Sequence, residues 1–251
     1  MATRTSIEWT EMTWNPVTGC TKISQGCKHC YAERMANRLK AMGAERYVRG
    51  FRLSIHEDLM DMPRRWRRPR LVFVNSMSDL FQDGVPDVVI DRVFSTMAAC
   101  PQHTFQVLTK RSERLMALSG RLPWPENVWM GVSVESRDHL DRIDHLARVP
   151  ASVRFLSCEP LLGPLENLPL DGIHWVIVGG ESGPKARPMQ GEWVESVRKQ
   201  CAEDNVAFFF KQWGGVRKSR TGRSLNGVTY DQMPVRAVPD HRRSEARPEM
   251  G

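Results

Sequence analysis

The sequence predicts an α/β fold, a full or partial (β/α) barrel, and three observations carry this prediction. Six short runs rich in Val, Ile and Phe recur along the chain, at 71–75, 104–109, 127–135, 153–159, 174–180 and 206–213. Their starts lie 21 to 33 residues apart, which suits strand–helix–strand crossovers rather than hairpins. The runs alternate little between apolar and polar residues, as expected for strands that are buried on both faces of a parallel sheet.

The remaining elements follow in chain order. A short first strand is predicted near residues 14–17, and a helix over 31–42. Further helices are predicted over 87–99, 136–149 and 191–204, because apolar residues recur there at three- and four-residue steps. Pro and Gly punctuate 160–172, which predicts an irregular crossover. An open doubly wound sheet shares this periodicity and remains the alternative.

Residues 1–235 therefore form one predicted barrel-like domain, followed by a flexible charged tail at 236–251. The 251 residues carry 36 Lys+Arg against 29 Asp+Glu, a net charge of +7. A content of 41% hydrophobic and 26% charged residues excludes wholesale disorder. No run approaches eighteen apolar residues and the N-terminus has no apolar signal core, so we expect a cytoplasmic protein without membrane contact.

Three of the six cysteines, Cys20, Cys27 and Cys30, form a C-x6-C-x2-C pattern in the loop 19–31. Gly19 and Gly26 precede the first two and allow the backbone to turn sharply. Three thiolates are one ligand short of a structural zinc site, whereas a 4Fe–4S cluster held by three thiolates leaves one iron open. We favour the cluster; zinc with a further ligand, and unligated or redox cysteines, remain alternatives. The predicted core cysteines are Cys100, Cys158 and Cys201.

Polar residues follow the predicted strands one after another. Ligands of parallel α/β folds bind beyond the carboxyl ends of the strands, so these residues are site candidates. A helix N-cap is the alternative for Asp79, but Glu159 and Glu181 do not open helices. Buried carboxylates there need cationic partners. The available cations are Lys110, Arg111 and Lys211. The predicted catalytic residues are Asp79, Lys110, Glu159, Glu181 and Lys211.

The cysteine triad, ending in C-x2-C-Y-A ahead of the βα array, resembles that of radical S-adenosylmethionine enzymes. Their usual spacing is C-x3-C-x2-C, so the first gap here is wider. The resemblance implies a 4Fe–4S cluster on Cys20, Cys27 and Cys30, S-adenosylmethionine on its open iron, and a 5′-deoxyadenosyl radical. It also implies a flavodoxin- or ferredoxin-like reductant protein. The cofactor-binding residues that it implies are Ser76, Ser78, Asp79, Ser133, Glu135 and Glu159.

A longer resemblance covers nearly the whole chain. Its segments include IEWTEMTWNPVTGCTKISQGCKHCYAERM, RPRLVFVNSMSDLFQDGVP, WVIVGGESGPKARPM and GRSLNGVTYDQMP. These are similar to a phage and bacterial family of unknown function with a three-cysteine motif. That family supplies no substrate.

A basic segment, PRRWRRPR, precedes the run at 71–75. Its arginines are Arg64, Arg65, Arg67, Arg68 and Arg70. They can bind phosphates of a nucleic acid while Trp66 stacks on a base; the alternative is a solvated connector with Trp66 docked on the barrel. Two other functions remain open: a zinc-stabilised nucleic-acid-binding protein without catalysis, and a metal-dependent nucleic-acid hydrolase.

Overall fold

Most strands belong to one large sheet in the computed structural model, which describes residues 3–216 and 218–234. The strands are β1 (Thr3–Arg4), β2 (Met12–Trp14), β3 (Val17–Thr18), β4 (Ser54–Ile55), β5 (Leu71–Val74), β6 (Thr104–Thr109), β7 (Val128–Ser133), β8 (Val153–Cys158), β9 (Trp175–Gly179) and β10 (Ala207–Gln212). The helices are α1 (Tyr31–Ala41), α2 (Asp87–Ala98), α3 (Ser112–Ser119), α4 (Asp141–Ala147), α5 (Gly191–Glu203) and α6 (Lys218–Thr221). Short 3-10 turns occupy Gln25–Cys27, Glu45–Tyr47, Glu57–Leu59, Met62–Arg65 and Arg137–His139.

The order of the sheet is β1-β2-β5-β6-β7-β8-β9-β10. β2 and β5 to β10 run parallel in chain order, and β1 pairs antiparallel with β2 at one edge. A doubly wound sheet reverses its strand order at a switch point, and this sheet has no reversal. In the described part of the chain β10 does not pair with β1 or β2, so the barrel is partial.

Ring contacts show that the sheet is strongly curled. β2 and β9 are five strands apart, which is about 24 Å across a flat sheet. Trp9, just before β2, nevertheless has its ring centroid 6.1 Å from that of Trp175 in β9. The concave face therefore closes around an aromatic cluster that also includes Trp129, Phe155 and Phe209. The convex face packs against the helices in the main core.

The six buried runs form strands as predicted, and α1, α2 and α5 match the predicted helices to within one residue. The segment 160–172 contains no regular element, also as predicted. No helix of the described residues is long and apolar enough to cross a bilayer. The tail predicted at 236–251 lies outside the described residues.

Three predicted boundaries were wrong. The first strand ends at Trp14, because Pro16 has no N–H for the ladder; Val17–Thr18 pairs with β4 in a separate small sheet. The helix predicted over 136–149 starts as a 3-10 turn and is α-helical only from Asp141. The strand predicted over 127–135 is shorter, at Val128–Ser133. The eight-residue α3 was not predicted, since two turns give too little periodicity.

Candidate functional site

A cavity of about 760 Å³ lies at the carboxyl ends of the parallel strands and reaches down to Trp9, Phe73 and Leu108 on the concave face. It brings together eleven of the twelve residues that the sequence analysis selected. These are Cys20, Cys27, Cys30, Ser76, Ser78, Asp79, Lys110, Ser133, Glu159, Glu181 and Lys211. Glu135 is the exception, because it lies beneath the cysteine loop and does not line the cavity.

The three loop cysteines are free thiols and each is half-buried. Burial and the nearby Asp79 carboxylate raise the pKa of Cys20 to about 11. Burial also opposes ionisation of Cys27, but hydrogen bonds from Ile23 and Ser24 outweigh it and lower its pKa. The remaining cysteines lie in the core as predicted, with the pKa of Cys201 raised by burial to about 12.

Side chains from four strand ends hold the cysteine loop across the mouth of the half-barrel. Beyond β5, the Gln82 amide donates to the Gly19 carbonyl at 2.6 Å. Beyond β6, the Arg111 guanidinium donates to the Thr21 carbonyl at 3.0 Å. Beyond β7, the Glu135 carboxylate accepts a hydrogen bond from the Ser24 hydroxyl. Beyond β9, Arg187 donates to the Gln25 carbonyl. The contacted loop residues, at positions 19, 21, 24 and 25, thus occur along the chain in the same order as the strands β5, β6, β7 and β9 occur in the sheet.

Glu135 is fully buried just beyond β7 and both of its carboxylate oxygens accept hydrogen bonds. Oε1 accepts from Ser24 at 2.6 Å and from the Lys110 ammonium at 2.5 Å. Oε2 accepts from Arg142 at 2.8 Å. Burial alone raises the pKa of a carboxyl, but Lys110, Arg142 and Ser24 lower that of Glu135 to about 2. A Cβ on Gly26 would lie 2.4 Å from Oε1, so the loop is packed directly on this carboxylate.

Asp79 is a hydrogen-bonding centre between β5 and β6 rather than a helix N-cap. Its carboxylate accepts from the Thr109 hydroxyl at 2.7 Å, from the amides of Phe81 and Lys110 at 3.0 Å, and from Arg111 at 3.1 Å. Arg111 also lies 3.6 Å from the Cys20 sulfur. Asp79 therefore fixes the guanidinium that contacts the first cysteine.

The two other predicted carboxylates are each paired with a cation. Lys211 lies 3.0 Å from Glu159 inside the cavity, and this carboxylate raises the lysine pKa against the opposing effect of burial. Arg187 binds Glu181 at 2.6 Å and donates to the Gln25 carbonyl at 2.9 Å. Three further contact residues were not predicted, because no local sequence pattern marks them: Arg187, Arg142 and Gln82.

Hydroxyl groups complete the polar upper wall. Ser76 donates to Asn15 at 3.2 Å and Ser78 to the Val17 carbonyl at 3.0 Å. The buried Ser133 lines the cavity, and its hydroxyl makes no hydrogen bond within the described part of the chain. α1 contributes Tyr31 and Arg34 to the wall, two residues that the sequence analysis had not selected.

The arrangement of the thiols bears on which inorganic group they can hold. A single zinc ion needs its ligands to converge on one point, whereas the cysteines of a 4Fe–4S cluster bind different irons and need only face one volume. No three His, Cys, Asp or Glu side chains of the described residues are grouped to hold one metal ion. The three thiols nevertheless line the same cavity. Three thiolates that face one cavity are a donor set that could hold a 4Fe–4S cluster with one open iron.

The arginine segment lies at the opposite end of the sheet. It immediately precedes β5, so it is at the amino ends of the strands, whereas the cavity is at their carboxyl ends. Trp66 is half-buried and its ring centroid is 5.4 Å from that of His103, just before β6. This position matches the connector alternative for Trp66.

Comparisons with known proteins find one family and one set of structures. A family model described as "Protein of unknown function (DUF5131)" matches residues 4–234. Spore photoproduct lyase complexed with dinucleoside spore photoproduct aligns with a TM-score of 0.47 and 12% identity, over 71% of this chain and 58% of that chain. A spore photoproduct lyase mutant with bound AdoMet and dinucleoside spore photoproduct aligns with a TM-score of 0.49 and 11% identity, over 71% of this chain and 58% of that chain. The chain thus spans less than two thirds of these proteins. No curated protein matches it.

Proposed function

We propose that this chain, which belongs to the DUF5131 family of proteins of unknown function, is a radical S-adenosylmethionine-type enzyme. In this proposal Cys20, Cys27 and Cys30 hold a 4Fe–4S cluster. One observation carries it: the three loop thiols share a cavity with a nearly complete set of polar strand-end residues. A purely structural metal site has no need of such a cavity, whereas a cofactor and a substrate do.

The chain's own residues would bind and orient S-adenosylmethionine. Ser133 is the best placed, because its hydroxyl lines the cavity and is not engaged by the described residues. Glu159 can accept a hydrogen bond from an ammonium or a ribose hydroxyl, and its carboxylate lies 3.0 Å from the Lys211 ammonium. Asp79 already accepts four hydrogen bonds, so its part is to hold Arg111 beside Cys20.

The lower part of the cavity would exclude water from the reacting groups. Trp9, Phe73 and Leu108 form an apolar floor on the concave face. When bound, a 4Fe–4S cluster supplies the electron that cleaves the sulfonium of S-adenosylmethionine. An apolar floor protects a reactive radical from solvent and side reactions. A flavodoxin- or ferredoxin-like reductant stays a prediction.

Anaerobic reconstitution of the full chain with iron and sulfide tests this proposal. We expect iron and acid-labile sulfide in equal amounts, and a reduced-cluster electron paramagnetic resonance signal that shifts when S-adenosylmethionine is added. Cys→Ala substitution of all three loop cysteines should abolish both. Cys100→Ala is the matched control, because that thiol is buried in the core away from the loop.

Three outcomes would contradict the proposal. One is zinc without sulfide, which favours the zinc-stabilised alternative. Another is a cluster whose spectrum ignores S-adenosylmethionine. The third is iron retained by the triple variant, which would show that other residues hold it.

A further inference from the structure

The contacts of the cysteine loop give its six-residue gap a structural explanation. The gap, residues 21–26, carries three of the four contacts to the strand ends, at Thr21, Ser24 and Gln25. The fourth is at Gly19. Six residues of extended chain span at most about 20 Å. Four strand spacings, from β5 to β9, amount to about 19 Å before the curl shortens them. A three-residue gap would reach only about half as far.

Glu135 has the central position among these contacts. It receives the only side-chain donor that the gap contributes to a strand end in the described residues, the Ser24 hydroxyl at 2.6 Å. It also fills the space beside Gly26 that a Cβ would need. Lys110 and Arg142 neutralise the buried charge of Glu135. The ionised carboxylate can therefore accept the Ser24 hydrogen bond without the free-energy penalty of burying an unpaired charge.

We propose that Glu135 is a positioning residue that docks residues 21–26 on the sheet and so sets the Cys20 and Cys27 thiols before any cluster binds. This gives Glu135 a role different from the cofactor contact that the sequence resemblance implies. The assignment of the thiols as cluster ligands rests on the proposed function, but the docking itself does not. Ser24 is the loop's half of the contact, and its hydroxyl also lies 3.6 Å from the Cys27 sulfur.

Hydrogen–deuterium exchange of the reduced, metal-free full chain tests the docking directly. Ser24→Ala removes the donor from a partly exposed loop and leaves the sheet unaltered, and Glu135→Gln removes the charge. In both variants we expect amides of 20–27 to exchange on the order of tenfold faster, the size of one lost hydrogen bond to a charged group. Ser24→Thr keeps the hydroxyl and should restore the wild-type rate. Glu195→Gln, on α5 and paired with Arg198, is the matched control.

The double variant Ser24→Ala, Glu135→Gln separates docking from a general loss of stability. If the two residues act through one contact, the double variant should exchange no faster in the loop than Glu135→Gln alone. Additive effects, or wild-type loop exchange in Ser24→Ala, would overturn the inference.

Iron uptake of the same proteins is measured in parallel. A wild type that exchanges slowly in the loop yet takes up no iron would refute the proposed function alone. Normal uptake with unaltered exchange in both single variants would refute this inference alone.

Discussion

At the residue scale, the predicted carboxylates are all charge-balanced by cations of the same chain. Asp79 pairs with Arg111, and Glu181 with Arg187. Glu159 pairs with Lys211, and Glu135 with both Lys110 and Arg142. Buried carboxylates without such partners would be protonated or strongly destabilising. The pairs therefore explain how so many charged side chains can lie in or close to one partly enclosed cavity.

The depressed pKa of Glu135 predicts a pH-dependent contribution to stability. Its folded pKa is about 2, against an ordinary 4.5. A lowered carboxyl pKa stabilises the fold above the unfolded value, and the stabilisation is lost as the pH falls from about 4.5 towards 2. At pH 7 we expect Glu135→Gln to lose roughly 3 kcal/mol of unfolding free energy.

Urea unfolding at pH 7, 4 and 3 measures this difference. The difference in unfolding free energy between wild type and Glu135→Gln should become steadily smaller as the pH falls, because all other titrating groups are common to both proteins. Glu195→Gln removes a surface ion pair with Arg198 and should cost less than about 1 kcal/mol at any pH. A Glu135→Gln penalty that does not depend on pH would show that folding does not lower the pKa of this carboxyl.

At the element scale, the sequence predicts what is local and fails for what is distant. The strands and long helices can be predicted from the apolar periodicity within each segment, and the cysteine triad from its spacing. The contacts that orient the triad cannot be predicted from any local pattern. Ser24 and Glu135 are 111 residues apart, and Gln25 and Arg187 are 162 apart. Only the curled sheet brings them together, so a single sequence identifies the loop without its supports.

The packing of the loop on β7 predicts a strong effect of a single methyl group. In Gly26→Ala the new Cβ would meet the Glu135 carboxylate at 2.4 Å, so either the loop or the Glu135 side chain, with its hydrogen bonds, must shift. Residues that orient metal ligands typically affect affinity by 10–100-fold, so we expect iron affinity to fall by about tenfold or more. Gly120→Ala is the control, since a Cβ there meets nothing within 4 Å. Iron titration of both variants makes the measurement; equal affinities would show that the loop adapts freely.

At the scale of the whole molecule, the open half-barrel needs protection at both edges. β1 covers β2 on one side. On the other side, residues of the C-terminal segment cover β10: Phe210 donates its amide to the Tyr230 carbonyl, and Gln232 to that of Phe208. Unprotected edge strands promote pairing between molecules. The sequence predicts a full or partial barrel without deciding between them, because closure depends on these edges rather than on strand periodicity.

The two ends of the sheet allow two functions to be separated. The arginine segment is at the amino ends of the strands, and the thiols are at the carboxyl ends. If the predicted nucleic-acid contact uses these arginines, replacing Arg64, Arg65, Arg67 and Arg68 by Gln should weaken binding. The slope of log affinity against log salt should fall by about one for each phosphate contact that is lost.

Iron and sulfide content should stay at wild-type levels, because the substitutions lie on exposed side chains away from the cavity. Arg198→Gln, on α5, controls for a general loss of positive charge. An unaltered salt slope would leave the segment a solvated connector, and a loss of iron would show that the two ends of the sheet are coupled.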